Sequence, residues 1–175
     1  MERRIKVAGT LLLLTTALLS VTTPLSSAAQ SKNPYGTPAV DPAAPNEIIF
    51  TISKGSRKSE FTEARLLKLK SSTISIYEPF LKKRQSFSVI PIKTFFSLVG
   101  ISGKDKVYTT ALNDYIYTNT AANFITAGAY IAVKRGGEPI AYDQGGPLRI
   151  VFADTSKWAR TLDAWNWSLA SIRVK

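Results

Sequence analysis

The segment AYIAVKRGGEPIAYD, residues 129–143, places the tightest limit on the fold. β-branched and aromatic residues flank Gly136-Gly137, and two adjacent glycines supply the positive backbone dihedrals of a tight turn. A hairpin here demands antiparallel pairing late in the chain. Similar strand patterns recur on both sides of it. EIIFTIS (47–53), STISIYEPF (72–80), RQSFSVIPI (84–92, interrupted by Pro91), PLRIVFA (147–153) and WSLASIRVK (167–175) read as strands, with KGSRKS (54–59) as a turn. VYTTALNDYIYT (107–118) reads as two extended pieces around an Asn113-Asp114 corner.

Helical signals are short and lie between these strands. Thr62 is placed to cap EARLLKLK, with Leu66, Leu67 and Leu69 turned inward. IKTFFSLVG reads as a helix ending at Gly100 and TAANFITAG as a brief helix closed by Gly128, while SKWARTLDAW is loop or short helix. No repeat is visible. Local β pairing with interspersed short helices predicts an α+β domain built on mixed, mainly antiparallel sheets.

The N-terminal third has a different character. Arg3, Arg4 and Lys6 precede an apolar run from Val7 to Val21; Pro24 breaks it, and Ser27 and Ala29 give the small residues of a cleavage site before Gln30. Residues 1–29 therefore read as a secretory signal, the alternative being a retained membrane anchor. Residues 30–46 carry four prolines and read as a flexible leader, and the domain is expected over 47–175. The expected location is periplasmic or secreted.

Absent residues restrict the chemistry more than those present. The chain has no cysteine and no histidine, which excludes disulfides, a thiolate nucleophile, lipoprotein anchoring, the Ser-His-Asp triad and the usual zinc sites. Its few acidic residues show no spacing that suggests a paired-carboxylate glycosidase. Lys and Arg number 23 against 12 Asp and Glu. The excess is concentrated from Lys54 to Lys106, which reads either as a solvated basic face or as a surface for anionic envelope components. No recognition-helix pattern suggests nucleic acid. Trp158, Trp165 and Trp167 either close a core or form an exposed aromatic platform.

Four segments in order, IPIKTFFSLVGI, TALNDY, IAVKRGGEPIAYDQGGPLRIVF and WSLASIRVK, resemble the molybdopterin-binding domain of the sulfite oxidase family, particularly its small exported bacterial members. The resemblance covers residues 47–175 and implies that fold, with a pterin-bound molybdenum held by a cysteine thiolate. It places that cysteine after STISIYEPF, close to Tyr77 or Glu78, where this chain has none; an oxygen ligand is no simple replacement for a thiolate on a thiophilic metal. Family members that carry the cofactor are typically exported folded, by the twin-arginine route. Arg3-Arg4 fits that signal, but Ile5 and Lys6 and the run Leu11 to Leu14 favour general secretion of an unfolded chain, which would arrive without molybdenum.

Asn113, Asp114 and Tyr115 match the family's segment and are candidates to line a ligand cleft, although Asn-Asp is also a turn pair. Gly146 could admit a ligand to the backbone and Arg149 could meet a phosphate or carboxylate; the plainer alternatives are a structural turn and an outward-facing strand arginine. The leading expectation is a non-catalytic module binding a small organic or anionic ligand or an exported protein partner, with membrane contact at most peripheral. No cofactor is expected from the residues, and molybdopterin only through the resemblance. The competing expectations are a molybdopterin-dependent oxidoreductase with atypical ligation through Tyr77 or Glu78, and a binder of anionic envelope surfaces.

Overall fold

The computed structural model describes residues 44–175, so the expected signal and residues 30–43 of the leader lie outside the described residues. Strand β1 (Phe50–Lys54) turns at Gly55-Ser56 directly into β2 (Arg57–Phe61). KGSRKS is therefore a two-residue turn, Gly55-Ser56, with strand on both sides. Its residues are polar at successive positions of an edge strand, so the alternating apolar signal used to recognise strands is missing until Phe61.

Thr62 caps α1 (Glu63–Leu67) as expected, its hydroxyl accepting from the Arg65 N–H at 3.2 Å. The helix is only one turn long, and consecutive residues on a helix point about 100° apart. Leu66 is accordingly buried and Leu69 half-buried, whereas Leu67 is 45% exposed rather than inward. Strand β3 (Ser72–Glu78) pairs with β4 (Lys83–Pro91), which runs continuously to Pro91 and leads straight into α2 (Ile92–Val99). Strands β5 (Lys106–Ala111) and β6 (Ile116–Thr120) form the expected corner, and Thr120 caps α3 (Ala121–Thr126).

Strand β7 (Tyr130–Arg135) turns through Gly136 and Gly137, at φ 62° and 91°, into β8 (Glu138–Pro139). The hairpin is shorter than its sequence suggests, because Tyr142–Gln144 coil into a 3-10 turn. Strand β9 (Arg149–Val151) returns to pair with β7, and β10 (Leu169–Val174) closes the fold.

The strands form two sheets. Sheet A has the order β2-β1-β10-β5-β6, and sheet B the order β3-β4-β7-β8 with β9 alongside β7. Every pairing is antiparallel except β1 with β10, which aligns Ile52 with Ile172. The inward faces of both sheets and the buried face of α2 merge in one core. Phe50, Phe61 and Phe95 meet with ring centroids 5.4–5.8 Å apart, fixing α2 on β1 and β2. Phe124 and Trp158 meet edge-on at 5.4 Å, and Phe152 links Trp158 to Trp165.

Gly146 is required by close approach. A Cβ built there would stand 1.8 Å from the Ile140 carbonyl oxygen and 2.7 Å from that of Ala141, which already accepts the Gly146 N–H. Backbone cannot yield as a flexible side chain can. Gly146→Ala is expected to destabilise the protein by about 3 kcal/mol, read as a lowered urea midpoint. A midpoint equal to wild type would show that the 140–146 loop is looser than described.

Candidate functional site

Three turns converge at one end of sheet A. The first joins β5 to β6: Ala111 N–H donates to Tyr115 O at 2.9 Å, and Asp114 takes the left-handed conformation at φ 64°. That geometry is permissive for Asn and Asp, which explains why this pair could be read as a corner. The second is the β3–β4 turn, which carries Phe80. The third is the 3-10 turn Leu162–Ala164, followed by Trp165-Asn166-Trp167. The Tyr115 hydroxyl donates to Asp163 O at 3.0 Å and ties the first turn to the third. Burial, followed by the negative charge of Asp163, raises its phenol above the usual value of 10.0, so Tyr115 remains a neutral donor throughout the physiological range.

Between these turns lies a cleft of about 360 Å³ lined by Phe80, Ala111, Asn113, Tyr115, Leu162, Asp163, Trp165 and Trp167. Its size is at the lower end for small-molecule sites. The lining is mainly aromatic and aliphatic, with Asn113 and Asp163 as its polar side chains. Phe80 and Trp167 meet edge to face with centroids 3.8 Å apart. Trp165 is buried and donates its indole N–H to Trp158 O at 3.2 Å, so the tryptophans both close the core and form the cleft wall.

The loop behind this wall is held by polar contacts. The Asn166 amide donates to Thr109 O at 3.0 Å and Thr109 Oγ1 at 3.1 Å; Ser168 N–H donates to Gly145 O, and Leu112 N–H to Ser168 O. Among the described residues, the buried Asn166 Oδ1 and Ser168 Oγ have no hydrogen-bond partner. Both residues flank Trp167 in the chain.

Asn113 and Tyr115 thus line the cleft, while Asp114 shapes the turn. Gly146 packs against backbone and contributes no lining. Arg149 lies within the core: it is wholly buried, and its Nη2 meets Glu78 Oε1 at 2.8 Å, with Glu78 equally buried. Its guanidinium carbon stands 5.6 Å from the Phe87 ring centroid and 5.9 Å from that of Trp167. The indole that lines the cleft is therefore backed by a buried cation. Glu78 Oε2 accepts the Leu81 N–H at 2.5 Å, so both carboxylate oxygens are engaged within the protein.

Successive strand residues point to opposite faces, and Tyr77 is accordingly 50% exposed on the other side of β3. There its N–H donates to Asp154 Oδ1 at 2.7 Å, and Arg84 pairs with Asp154 Oδ2 at 2.6 Å. The Tyr77 N–H above all, with help from Arg84, holds the Asp154 carboxyl below its usual 3.8. The Glu78–Arg149 pair was not legible in the sequence. Only the apolar company of each residue hinted at burial, and nothing in the spacing matched one to the other across 71 positions.

A scan against protein-family models finds no match, and neither does a search of curated proteins. Among solved structures the chain is similar to the sulfane dehydrogenase SoxCD from Paracoccus pantotrophus, with a TM-score of 0.58 and 11% identity. The similarity covers 78% of this chain and 40% of that one. At this identity the likeness is one of fold. The mixed α+β architecture, with antiparallel sheets and few short helices, resembles a sulfite-oxidase-family domain.

Two predictions follow from the geometry. Removing one member of a buried ion pair leaves the other charge uncompensated, so Glu78→Gln and Arg149→Met are each expected to cost about 3–5 kcal/mol. The double variant keeps an acceptor for Leu81 and should cost less than the sum by about 2 kcal/mol, as measured by urea unfolding; additive losses would refute the coupling. Asp154 has a lowered folded-state pKa, so its stabilising contribution is present above about pH 4–5 and is lost as pH falls through that lowered value. The stability difference between wild type and Asp154→Asn should shrink as pH falls from 6 to below 3. A difference constant with pH would contradict the assignment.

Proposed function

We propose that this chain is a non-catalytic binding module of sulfite-oxidase-like fold, acting after export, that holds a small organic ligand with a flat apolar body in the cleft beside Trp167. The carrying observation is the Glu78–Arg149 pair. The expected position of the family's metal-binding thiolate falls beside Glu78, whose two oxygens bond Arg149 and Leu81 instead. Redirecting that carboxylate to a metal would strand a buried guanidinium.

The residues present do not fit the family's molybdenum cofactor. The chain has no thiolate, and among the described residues no group of three or more Asp or Glu is placed to hold a metal. Tyr77 and Glu78 face opposite sides of one strand and cannot converge on a shared ion. The cleft, in contrast, suits an uncharged ring system: its aromatic walls offer stacking and edge contacts, with Asn113 and Asp163 available for orientation. Catalysis would need a reactive group there, and the lining holds one carboxylate, Asp163, with no Lys, Ser or Thr beside it.

The test uses anilinonaphthalene sulfonate as a fluorescent probe of the cleft. Leu162 is exposed at its rim, so Leu162→Trp should fill the entrance and weaken probe binding at least tenfold without changing the thermal midpoint. Unchanged affinity would remove the cleft as the binding site. Protein purified from a cell that makes molybdopterin should contain molybdenum well below one equivalent; stoichiometric metal would overturn the non-catalytic reading.

A further inference from the structure

We propose that the outward face of sheet A is a docking surface for an acidic polysaccharide, a linear chain bearing sulfate, phosphate or carboxylate groups at close intervals. Strand register defines this face. Residues directly opposite one another across a sheet project to the same side. One row therefore runs Lys58, Ser53, Arg173, Tyr108, Thr118 across all five strands. Two residues along in one direction the row is Glu60, Thr51, Ser171, Thr110, Ile116, and in the other direction Lys106 lies opposite Thr120. The intervening row contains Ile52, Ile172 and Thr109, all buried, so the first set faces out. Helix α2 covers the opposite face through Phe95 on Phe50 and Phe61, and α3 through Phe124 on Tyr117.

The distribution of charge on this face identifies the partner. Lys106, Arg173 and Lys175 place their cationic groups 5.6, 5.8 and 5.3 Å from the centroid of one ring, that of Tyr108. Three like charges gathered at one aromatic repel one another, and an anion laid among them would relieve that repulsion. Glu60 is the only carboxylate on these registered positions, and Lys58 already pairs with it. Between the cations lie Ser53, Thr51, Ser171, Thr110, Thr118 and Thr120, which present hydroxyl groups to a polyhydroxylated chain. Ile116, at the β6 edge, is the only large aliphatic residue in these rows. A face with so little apolar surface is poorly suited to membrane insertion. A hydroxyl-rich face with one ring and a cluster of cations matches an extended, sugar-based anion. It lies apart from the aromatic cleft, so its failure and the failure of the cleft reading are separable.

The probe is dextran sulfate, with neutral dextran and phosphatidylglycerol vesicles as comparison arms, titrated against the purified protein at several salt concentrations. Binding to dextran sulfate should weaken steeply with salt. The variant Lys106→Gln/Arg173→Gln/Lys175→Gln should lose at least tenfold in affinity and reduce the slope of log K against log salt by about 2, at roughly 0.7–0.9 per released counterion. Its thermal midpoint and its binding of anilinonaphthalene sulfonate should be unchanged. The control Lys68→Gln/Lys70→Gln removes two charges from the exposed segment after α1 and should leave the slope as in wild type. Equal losses in the two variants would overturn the proposal by making the effect one of net charge. Comparable binding of neutral dextran, or tighter binding of vesicles through the same three residues, would overturn it as well.

Discussion

One buried charge pair organises the region where the two sheets meet. Arg149 projects from β9 into the core and finds Glu78 at the last position of β3, while Glu78 also holds the start of the following turn through Leu81. Neither charge could be left unpaired at such depth. The pair therefore fixes the position of β9 relative to the β3–β4 turn, which in turn fixes Phe80. Its net contribution to stability is modest, because desolvation offsets most of the attraction. Its value is geometric: it leaves one well-defined arrangement of strand, turn and the Trp167 ring beside it.

The cleft is a consequence of that arrangement. Its walls come from separate turns, and short polar ties hold them in register: Tyr115 to Asp163, Asn166 to Thr109, Ser168 to Gly145. A site assembled from turns on rigid sheets can vary its lining with little change to the core. Here the turns supply a mainly aromatic and aliphatic lining with Asn113 and Asp163 as its polar side chains.

The sequence revealed elements better than partners. β-branched alternation located most strands, the glycine pair located the hairpin, and Thr62, Gly100 and Gly128 marked helix ends, because each signal is local. Strand β2 was hidden by its polar edge, and Leu67 was misplaced because a one-turn helix buries only a narrow stripe. Among the candidate residues, Asn113 and Tyr115 carried a local turn signal and line the cleft. The role of Arg149 depended on Glu78, 71 residues away, and that of Gly146 on the carbonyl of Ile140. Such contacts belong to the tertiary fold, and no local pattern announces them.

The parallel pairing of β1 with β10 has a further consequence for how the molecule comes into being. Sheet A has its first strand hydrogen-bonded to its last, Thr51 beside Ser171 and Lys54 beside Val174. A chain made from its N-terminus cannot complete that sheet until β10 has emerged, and β1 with β2 must wait as a marginal hairpin in the meantime. Pairing at such separation slows folding through the entropy of loop closure. The topology thus holds back the complete sheet until β10 is made, and a shorter nascent chain carries β1 and β2 without the strand that joins them to β5.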